Sequence, residues 1–258
     1  MECLACGHLY TFPPPDQAAV DEHYASSGGW IAEDERRASG TDPRYSFCVA
    51  LLRRRHPPPA IVLDVGCSAG RFLRMAAAAG YDCYGVEPGE DAERAARALG
   101  ADRVFRRLYT APTGPRCDIV TFFDVLEHMP DPRIALRAAA QQLAPGGHLL
   151  ASLPGQRFSR WKVWPRRRLG IRNLLVPLVL GAGNHLHHFS VAGLRRTLHD
   201  VGLTVVASGA LPPDYNYLAN RRSAALKRAW SALASLGAVL GGEPWSSNIW
   251  VLASKPGA

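Results

Sequence analysis

The sequence predicts an α/β fold with a doubly wound, mostly parallel sheet, and three observations support this prediction. Short apolar runs alternate with helical segments from residue 61 onward, in the order IVLDV, RFLRMAAAAG, YDCYGVE and EDAERAARALG. The first run leads into the small-residue loop GCSAG before a helical segment begins. Gly80 and Gly100 close the two helical segments, as glycines commonly do. Alternation of this kind produces a parallel sheet covered by helices on both faces.

The alternation continues toward the C-terminus. DIVTFFDV is predicted as a strand, RIALRAAAQQL as a helix and HLLASLP as a strand. After a break at residues 155–189, we expect a helix capped by Ser190 (SVAGLRRTLHDVG), a strand (LTVVAS), a helical stretch from Ser223 to Leu240 and a final strand (NIWVLAS). Right-handed crossovers would bring the carboxyl ends of the parallel strands to one edge, where ligands of such sheets bind.

Length and composition indicate one main domain with extensions. The chain has 258 residues, of which 47% are hydrophobic. Residues 1–15 contain the pair Cys3 and Cys6 and end in three prolines, and residues 16–56 are expected to form a helical extension. Residues 57–258 are expected to form the α/β domain.

The net charge and the cysteines bear on partners and location. The formal charge is +8, from 30 Lys and Arg against 22 Asp and Glu, which could favour nucleic acid, an anionic membrane surface or an acidic ligand. Alanine and arginine are both abundant, which favours a solvated basic surface instead. There is no apolar run of membrane-spanning length and no secretion signal, and the six cysteines are scattered. We therefore expect a cytoplasmic protein with reduced thiols, whose contact with a membrane is at most weak and at the surface.

The loop after IVLDV has the composition of a ligand-binding turn. Gly66, Ser68 and Gly70 leave room for a close approach of the backbone to a ligand. The dinucleotide fingerprint starting at Gly66 would need glycines at 68 and 71, where the sequence has Ser68 and Arg71. The spacing therefore disfavours a nicotinamide-dependent oxidoreductase.

Two acids accompany this loop. Asp64 lies two residues before Gly66 and could orient the loop and meet a cationic amino group. Glu87 ends the next predicted strand, where a carboxylate can accept hydrogen bonds from the ribose hydroxyls of an adenosine. The alternative is that both acids simply cap loops.

Four segments in order resemble the motifs of class I S-adenosylmethionine-dependent methyltransferases. They are LDVGCSAGRF, GYDCYGVEP, CDIVTFFDVLEHMPDP and LAPGGHLLASLP, and the resemblance covers about residues 57–154. It implies a Rossmann-like sheet of seven strands whose last strand runs antiparallel to the others. It also implies S-adenosylmethionine as the cofactor.

The resemblance also implies roles for particular residues. Five residues would surround the methionine part of the cofactor: Asp64, Gly66, Cys67, Ser68 and Gly70. Glu87 would hold the ribose, with Pro88 beside the adenine, and Phe123 and Asp124 would end a strand beneath the cofactor. Ser68 stands where a glycine is more frequent, which a small side chain should tolerate.

Histidines are the candidate catalytic residues. Methyl transfer depends on alignment in a dry pocket, and a base is needed only where the acceptor must lose a proton. His128 follows a predicted strand, and a structural role or a place in the shell around the cofactor is its alternative. Of His185, His187 and His188, we expect one to face the acceptor, with His185 as the candidate. No acid or cysteine at suitable spacing accompanies these three, so we expect no metal.

The least regular segments are expected to define the acceptor and the assembly. Residues 155–189 would cover the acceptor site, and several of their basic and aromatic side chains could bind an anionic or aromatic molecule: Arg160, Trp161, Trp164, Arg166, Arg167 and Arg168. The alternative is a solvated basic helix. The apolar side of the stretch from Ser223 to Leu240 is expected to be a core or dimer face, in a monomer or homodimer.

The motif Cys3-x-x-Cys6-Gly7 is half of a zinc ribbon. No second pair precedes it, so we expect a partial, degenerate ribbon without metal, or the remainder of a longer N-terminus.

Taken as a sequence, the chain is predicted to transfer a methyl group from S-adenosylmethionine to a small or medium-sized acceptor, at oxygen. An RNA or protein methyltransferase is one alternative, motivated by the +8 charge. Nucleic acid is not favoured, because no separate nucleic-acid-binding domain is visible. A cofactor-binding protein that has lost catalysis is the other alternative.

Overall fold

A computed structural model describes residues 1–4, 6–13, 15–16, 42–156, 185–211 and 248–257. The strands are β1 (Leu9–Tyr10), β2 (Ile61–Val65), β3 (Asp82–Val86), β4 (Val104–Phe105), β5 (Cys117–Phe123), β6 (Leu143–Pro154), β7 (His187–His188), β8 (Thr204–Ala210) and β9 (Asn248–Ser254). The α-helices are α1 (Pro43–Arg55), α2 (Arg71–Ala78), α3 (Asp91–Leu99), α4 (Pro132–Gln142) and α5 (Val191–Asp200). Short 3-10 turns lie at Ala101–Arg103 and Leu126–His128.

The main sheet has seven strands in the order β4-β3-β2-β5-β6-β9-β8. The pairings from β4 to β6 are parallel, whereas β9 pairs antiparallel with both β6 and β8. Among the described strands of this sheet, β9 is therefore the one that runs against the others. This confirms the predicted Rossmann-like sheet with an antiparallel last strand.

Both faces of the sheet are covered, as predicted. On one face, α4 and α5 pack through Leu136, Ala139, Leu194 and Leu198 against apolar strand residues such as Val120 and Phe122. On the other face, α1, α2 and α3 pack through Cys48, Leu52, Phe72, Leu73 and Ala95 against Val62, Ile119 and Leu252. The alternation of side-chain direction along each strand divides the core in this way.

The parallel arrangement brings the carboxyl ends of β2, β3 and β5 to one edge. β2 lies between β3 and β5, in register from Val62, which pairs with both Cys83 and Ile119. The loops after these three strands therefore lie side by side. They carry most of the residues singled out from the sequence.

The N-terminal residues pack on the segment that follows residue 184. β1 pairs antiparallel with β7, with Leu9 opposite His188. The Cys3 amide donates to the His8 carbonyl at 2.8 Å, and the Gly7 amide donates to the Cys3 carbonyl at 2.8 Å. The cysteine-containing turn is thus a compact knuckle against β7.

Most predicted elements are present with small shifts in their ends. β6 begins at Leu143, five residues before the predicted start at His148, because Leu143 already pairs with Cys117 and a β-bulge separates this pair from the regular ladder. The two-residue strands β1, β4 and β7 were not predicted.

Three expectations lie largely or wholly outside the described residues. They are the helical extension of residues 16–56, of which residues 17–41 are not described, the cover over the acceptor, of which residues 157–184 are not described, and the helix from Ser223 to Leu240. Among the described residues, no helix is long and apolar enough to cross a membrane.

Candidate functional site

The loop after β2 adopts a conformation that requires small residues. Gly66, Ser68 and Gly70 have positive φ angles of 74°, 46° and 75°. The Gly66 amide donates to the Val86 carbonyl at 2.7 Å, which ties the loop to the end of β3. Gly70 precedes α2, whose N-terminus has no side-chain cap. The serine at position 68 is accommodated, but in a region of φ that costs a non-glycine residue energy.

Gly66 has no room for a side chain. A Cβ atom at this position would lie 2.4 Å from Cγ2 of Val125, in the loop after β5. The two loops therefore meet at van der Waals contact through this glycine. Replacing it would push apart the ends of β2 and β5.

Glu87 bridges two loops at the carboxyl end of β3. Its Oε2 accepts the Ser68 amide at 3.0 Å, and its Oε1 accepts the Gly89 amide at 2.8 Å. Burial raises the pKa of Glu87, and the two backbone hydrogen bonds oppose that shift. Each oxygen of the carboxylate can accept a further hydrogen bond, so the group could also bind a ligand hydroxyl. Pro88 follows it, half-buried.

Asp64 lies inside the sheet rather than on the loop surface. The residue is 3% exposed, and its carboxylate accepts a hydrogen bond of 2.6 Å from the Thr121 hydroxyl on the neighbouring strand. Burial raises the pKa of Asp64 to about 7, against the effect of the Thr121 hydrogen bond. The group is therefore poised to change charge near neutral pH.

The side chains of Cys67 and Ser68 serve the loop itself. A Cβ atom on Gly85 would lie 2.6 Å from the Cys67 sulfur, so this thiol packs inward against β3. Burial raises the pKa of the Cys67 thiol, which keeps it protonated. The Ser68 hydroxyl donates to Asp91 at the start of α3, at 2.9 Å.

Phe123 is the last residue of β5, and Asp124 follows it directly. Asp124 has a φ of 55°, an unusual backbone conformation of the kind that collects at functional sites. The Phe123 ring packs against Phe72 and Tyr45, at centroid distances of 4.5 and 5.1 Å. The Phe123 ring thus packs partly against the hydrophobic core.

An ion pair from α1 holds Asp124. Arg44 donates to its carboxylate at 3.2 Å and also contacts Asp42, a fully buried acid that caps the start of α1. Sequence reasoning missed Arg44 and Asp42. The run Asp-Pro-Arg does signal the start of a helix, but a contact between residues 44 and 124 leaves no local sign.

A second group of polar residues follows β5. Glu127 and His128 lie in the 3-10 turn, and His185 reaches them from the segment before β7. One ligand atom from each of the three lies within 4.8 Å of the others. Burial raises the pKa of Glu127 well above its usual range, and the charge of Asp124 adds to this effect. Burial lowers the pKa of His185.

The other two histidines of the segment lie outside this group, although the His188 ring contacts that of His185 at a centroid distance of 5.9 Å. His187 lies 3.0 Å from the ring of His8 in the N-terminal knuckle, between Nδ1 and Nε2. His188 is buried, with its pKa lowered to about 4 by burial. Of the three neighbouring histidines, His185 is the one that joins His128.

Acidic side chains collect at the carboxyl edge of the sheet although the chain carries a net charge of +8, and Arg44 pairs with one of them, Asp124. Five carboxylates collect there: Asp64, Glu87, Asp91, Asp124 and Glu127. Such a donor set fits a ligand that carries positive charge and hydroxyl groups, and S-adenosylmethionine carries a sulfonium, an ammonium and a ribose. It suits a diphosphate poorly, because like charges repel.

The family of the chain follows from comparison with known proteins. A family model described as a methyltransferase domain matches residues 41–208, well over half of the 258 residues. The chain therefore belongs to the methyltransferase domain family. This confirms the class inferred from the four motifs, and with it S-adenosylmethionine as the cofactor.

Relatives of known activity match parts of the chain. A ubiquinone biosynthesis O-methyltransferase from Aliivibrio fischeri is 32% identical over 99 residues, which is 35% of this chain and 42% of that protein. A protein of the same name from Aromatoleum aromaticum is 28% identical over 184 residues, covering 63% of this chain and 77% of that protein. The chain thus spans less than half the length of the first of these relatives.

Solved structures share the fold at low identity. Magnesium protoporphyrin IX methyltransferase from Synechocystis, with bound S-adenosylhomocysteine, aligns with a TM-score of 0.61 and 16% identity, over 93% of this chain and all of that one. The 1,6-didemethyltoxoflavin-N1-methyltransferase from Burkholderia thailandensis, with bound 1,6-didemethyltoxoflavin and S-adenosylhomocysteine, aligns with a TM-score of 0.59 and 18% identity, over 96% of this chain and 95% of that one. These likenesses confirm the fold.

Proposed function

We propose that this protein transfers a methyl group from S-adenosylmethionine to an oxygen atom of a small or medium-sized acceptor. The observation that carries the proposal is the Glu87 carboxylate, which stands beside the glycine loop at the carboxyl end of β3 and bonds to both neighbouring loops. The relatives named as ubiquinone biosynthesis O-methyltransferases support an oxygen acceptor.

The residues of the first three loops are assigned to the cofactor. Glu87 would accept the two ribose hydroxyls, and Pro88 would lie beside the adenine. The loop residues would surround the methionine part: Asp64, Gly66, Cys67, Ser68 and Gly70. In this assignment Cys67 contributes backbone, because its thiol packs inward. Phe123 and Asp124 would line the floor at the end of β5.

S-adenosylmethionine supplies an activated methyl group on a sulfonium sulfur, so the protein has to align the acceptor and exclude water. His128 and His185 are assigned to the acceptor. Their rings lie 4.8 Å apart, centroid to centroid. Because burial lowers the pKa of His185, its imidazole would be neutral at physiological pH and able to take the proton of an acceptor hydroxyl.

The proposal also covers the location of the protein in the cell, its partner, its assembly and its domains. We place it in the cytoplasm of a bacterium, because its six cysteines are thiols and the relatives described above are bacterial. Its partner would be a small molecule, and the chain would act as a monomer or homodimer. Residues 1–15 would be a ribbon remnant, residues 16–56 an extension and residues 57–258 the methyltransferase domain.

The test has two stages. In the first, the purified protein is titrated calorimetrically with S-adenosylhomocysteine and, separately, with NADH. Micromolar binding of the first alone supports the proposal, and binding of NADH alone would overturn it. In the second, transfer of a labelled methyl group is followed by mass spectrometry on a panel of hydroxylated quinols, phenols and sugars.

The same panel separates the alternatives. Total RNA and a protein extract are included as acceptors, because the net charge of +8 favours anionic partners. If RNA alone were methylated, the protein would be an RNA methyltransferase and the small-molecule proposal would be wrong. Binding of S-adenosylhomocysteine with no transfer to any class would favour the non-catalytic protein.

A further inference from the structure

The carboxylate of Glu127 is buried, and no described residue donates a hydrogen bond to it. The residue is 1% exposed, and within the described part of the chain neither Oε1 nor Oε2 has a hydrogen-bond partner. Burying a carboxylate in this state is costly unless a positive charge or several donors compensate it. The feature therefore points to a missing partner at this position.

Two imidazoles face this carboxylate. Nε2 of His128 lies 4.0 Å from Oε1 of Glu127. The rings of His128 and His185 meet edge to face, with centroids 4.8 Å apart and planes at 74°. One ligand atom from each of the three residues lies within 4.8 Å of the other two. Three potential metal ligands thus converge on one point.

The backbone holds the three side chains together. Glu127 and His128 are neighbours in the same 3-10 turn. The Leu186 amide donates to the Glu127 carbonyl at 2.7 Å, which fixes the residue next to His185 against that turn. The cluster is therefore preorganised by hydrogen-bonded main chain and does not depend on long flexible side chains.

We propose that Glu127, His128 and His185 bind one divalent transition-metal ion, with Zn²⁺ as the best match. Two imidazole nitrogens and one carboxylate oxygen form a donor set that suits zinc and its neighbours better than magnesium or calcium. The proposal reverses the expectation from the sequence, which considered only the closely spaced histidines and overlooked the acid next to His128.

The distances require a small adjustment. A tetrahedral ion with bonds of roughly 2.1 Å holds its ligands roughly 3.4 Å apart. The three atoms lie within 4.8 Å of one another, so side-chain rotations that move them by about an ångström would close the site. Three protein ligands leave at least one coordination position for another molecule, as in catalytic zinc sites.

The open coordination position gives the ion a role in methyl transfer. This role rests on the proposed function, whereas the binding of the metal ion to the three residues does not. An acceptor hydroxyl at that position would lose its proton to solvent more readily, because a nearby cation lowers its pKa. The acceptor oxygen then forms the bond to the methyl carbon as the carbon–sulfur bond breaks, its electron pair going to sulfur. The imidazole nitrogens that hold the ion cannot take the proton, so the bound ion would replace the base role assigned to His185 in the proposed function.

The test measures metal binding by the full chain without any reference to activity. The protein is freed of metal with a chelator and titrated with Zn²⁺ by calorimetry, and bound zinc is counted after dialysis. Co²⁺ serves as a second probe through its visible absorption. Glu127→Gln and His185→Gln are compared with His148→Gln, a histidine on β6 outside the cluster. All proteins carry Cys3→Ser and Cys6→Ser, because the knuckle thiols could bind zinc on their own.

One equivalent of zinc is expected in the parent protein and in His148→Gln. Loss of a ligand in Glu127→Gln or His185→Gln should weaken binding at least about 100-fold, because even residues that only support ligands contribute 10- to 100-fold. Glu127→Gln removes a buried charge at constant volume, so the variant should remain folded. Absence of stoichiometric zinc, or equal affinity in all four proteins, would overturn the proposal.

Binding of S-adenosylhomocysteine is measured on the same samples. If it binds and zinc does not, the metal inference fails and the proposed function stands. If zinc binds and S-adenosylhomocysteine does not, the proposed function fails and the metal site stands.

Discussion

Glu87 offers the most direct test of the cofactor site. Removing its carboxylate by Glu87→Ala would take away an acceptor for two backbone amides and, in the proposed function, for two ribose hydroxyls. A hydrogen bond to a charged group contributes about 1.5–3 kcal/mol. Losing two at the lower limit costs about 3 kcal/mol, so the Kd for S-adenosylhomocysteine should rise about 150-fold.

The same substitution has a separate effect on folding. The Ser68 and Gly89 amides would lose their acceptor, which should lower the free energy of unfolding by about 1–3 kcal/mol, with water replacing part of the loss. Burial raises the pKa of Glu87, so removing the buried carboxyl group offsets part of this loss of stability. Urea denaturation of the free protein therefore measures the structural effect, and calorimetric titration measures the effect on binding.

The control for Glu87→Ala is Glu93→Ala on α3. Glu93 is also a glutamate, but its side chain is 64% exposed and pairs with Arg106 at the surface. We expect its Kd to stay within twofold of the parent value. Glu87→Gln, which keeps the side-chain volume, serves if the alanine variant folds poorly. A folded Glu87 variant that binds S-adenosylhomocysteine as tightly as the parent would refute the ribose assignment.

Three further predictions concern the stability of the site. Gly66→Ala should lower the free energy of unfolding by about 2–5 kcal/mol, because the alanine would have a positive φ and would contact a valine methyl group. The control is Gly146→Ala, which has a similar φ and nothing within 4 Å of the new Cβ atom, and it should cost only about 1–2 kcal/mol. Equal losses of the two variants in urea denaturation would contradict the steric argument. Burial raises the pKa of Asp64 from 3.8 to about 7, so the unfolded chain releases this proton first and the group's contribution to stability falls by up to about 4 kcal/mol as pH rises from about 4 to 7. The Asp64→Asn variant should therefore lack this component of the pH dependence, and parallel stability profiles of the two proteins would speak against the burial argument. Arg44→Met breaks contacts with two carboxylates and should destabilise the fold by about 2–4 kcal/mol. Arg53 is exposed on the same helix, so Arg53→Met should change the stability by less than about 0.5 kcal/mol. Similar thermal melting curves for the two variants would show that the ion pair contributes little to stability.

Much of the fold could be predicted because the signals are local. The strand ending at Ser254 was predicted at its observed bounds, and the helix starting at Val191 was predicted from its serine cap and closing glycine. Apolar runs of buried parallel strands and capped helices repeat along the chain, and each can be recognised within about ten residues. The two-residue strands were not predicted, because a segment of two residues is too short to show a hydrophobic periodicity.

The site could be predicted only in part. The glycine loop and Glu87 were found because strand-to-helix turns at the carboxyl edge follow a known pattern. The direction of the Cys67 side chain and the burial of Asp64 against Thr121 depend on the neighbouring strands. Those contacts exist only once the sheet has assembled.

By itself, the sequence determined the class of this protein: the order of strands and helices, the glycine loop assigned to the cofactor and the acids beside it. These features follow from hydrophobic periodicity and from backbone geometry, which act between near neighbours in the chain. The tertiary structure decided which distant groups meet. It placed Arg44 on Asp124 and brought His185 to Glu127 and His128. Such contacts join residues tens of positions apart, and their energies depend on burial and distance, which a linear pattern does not contain.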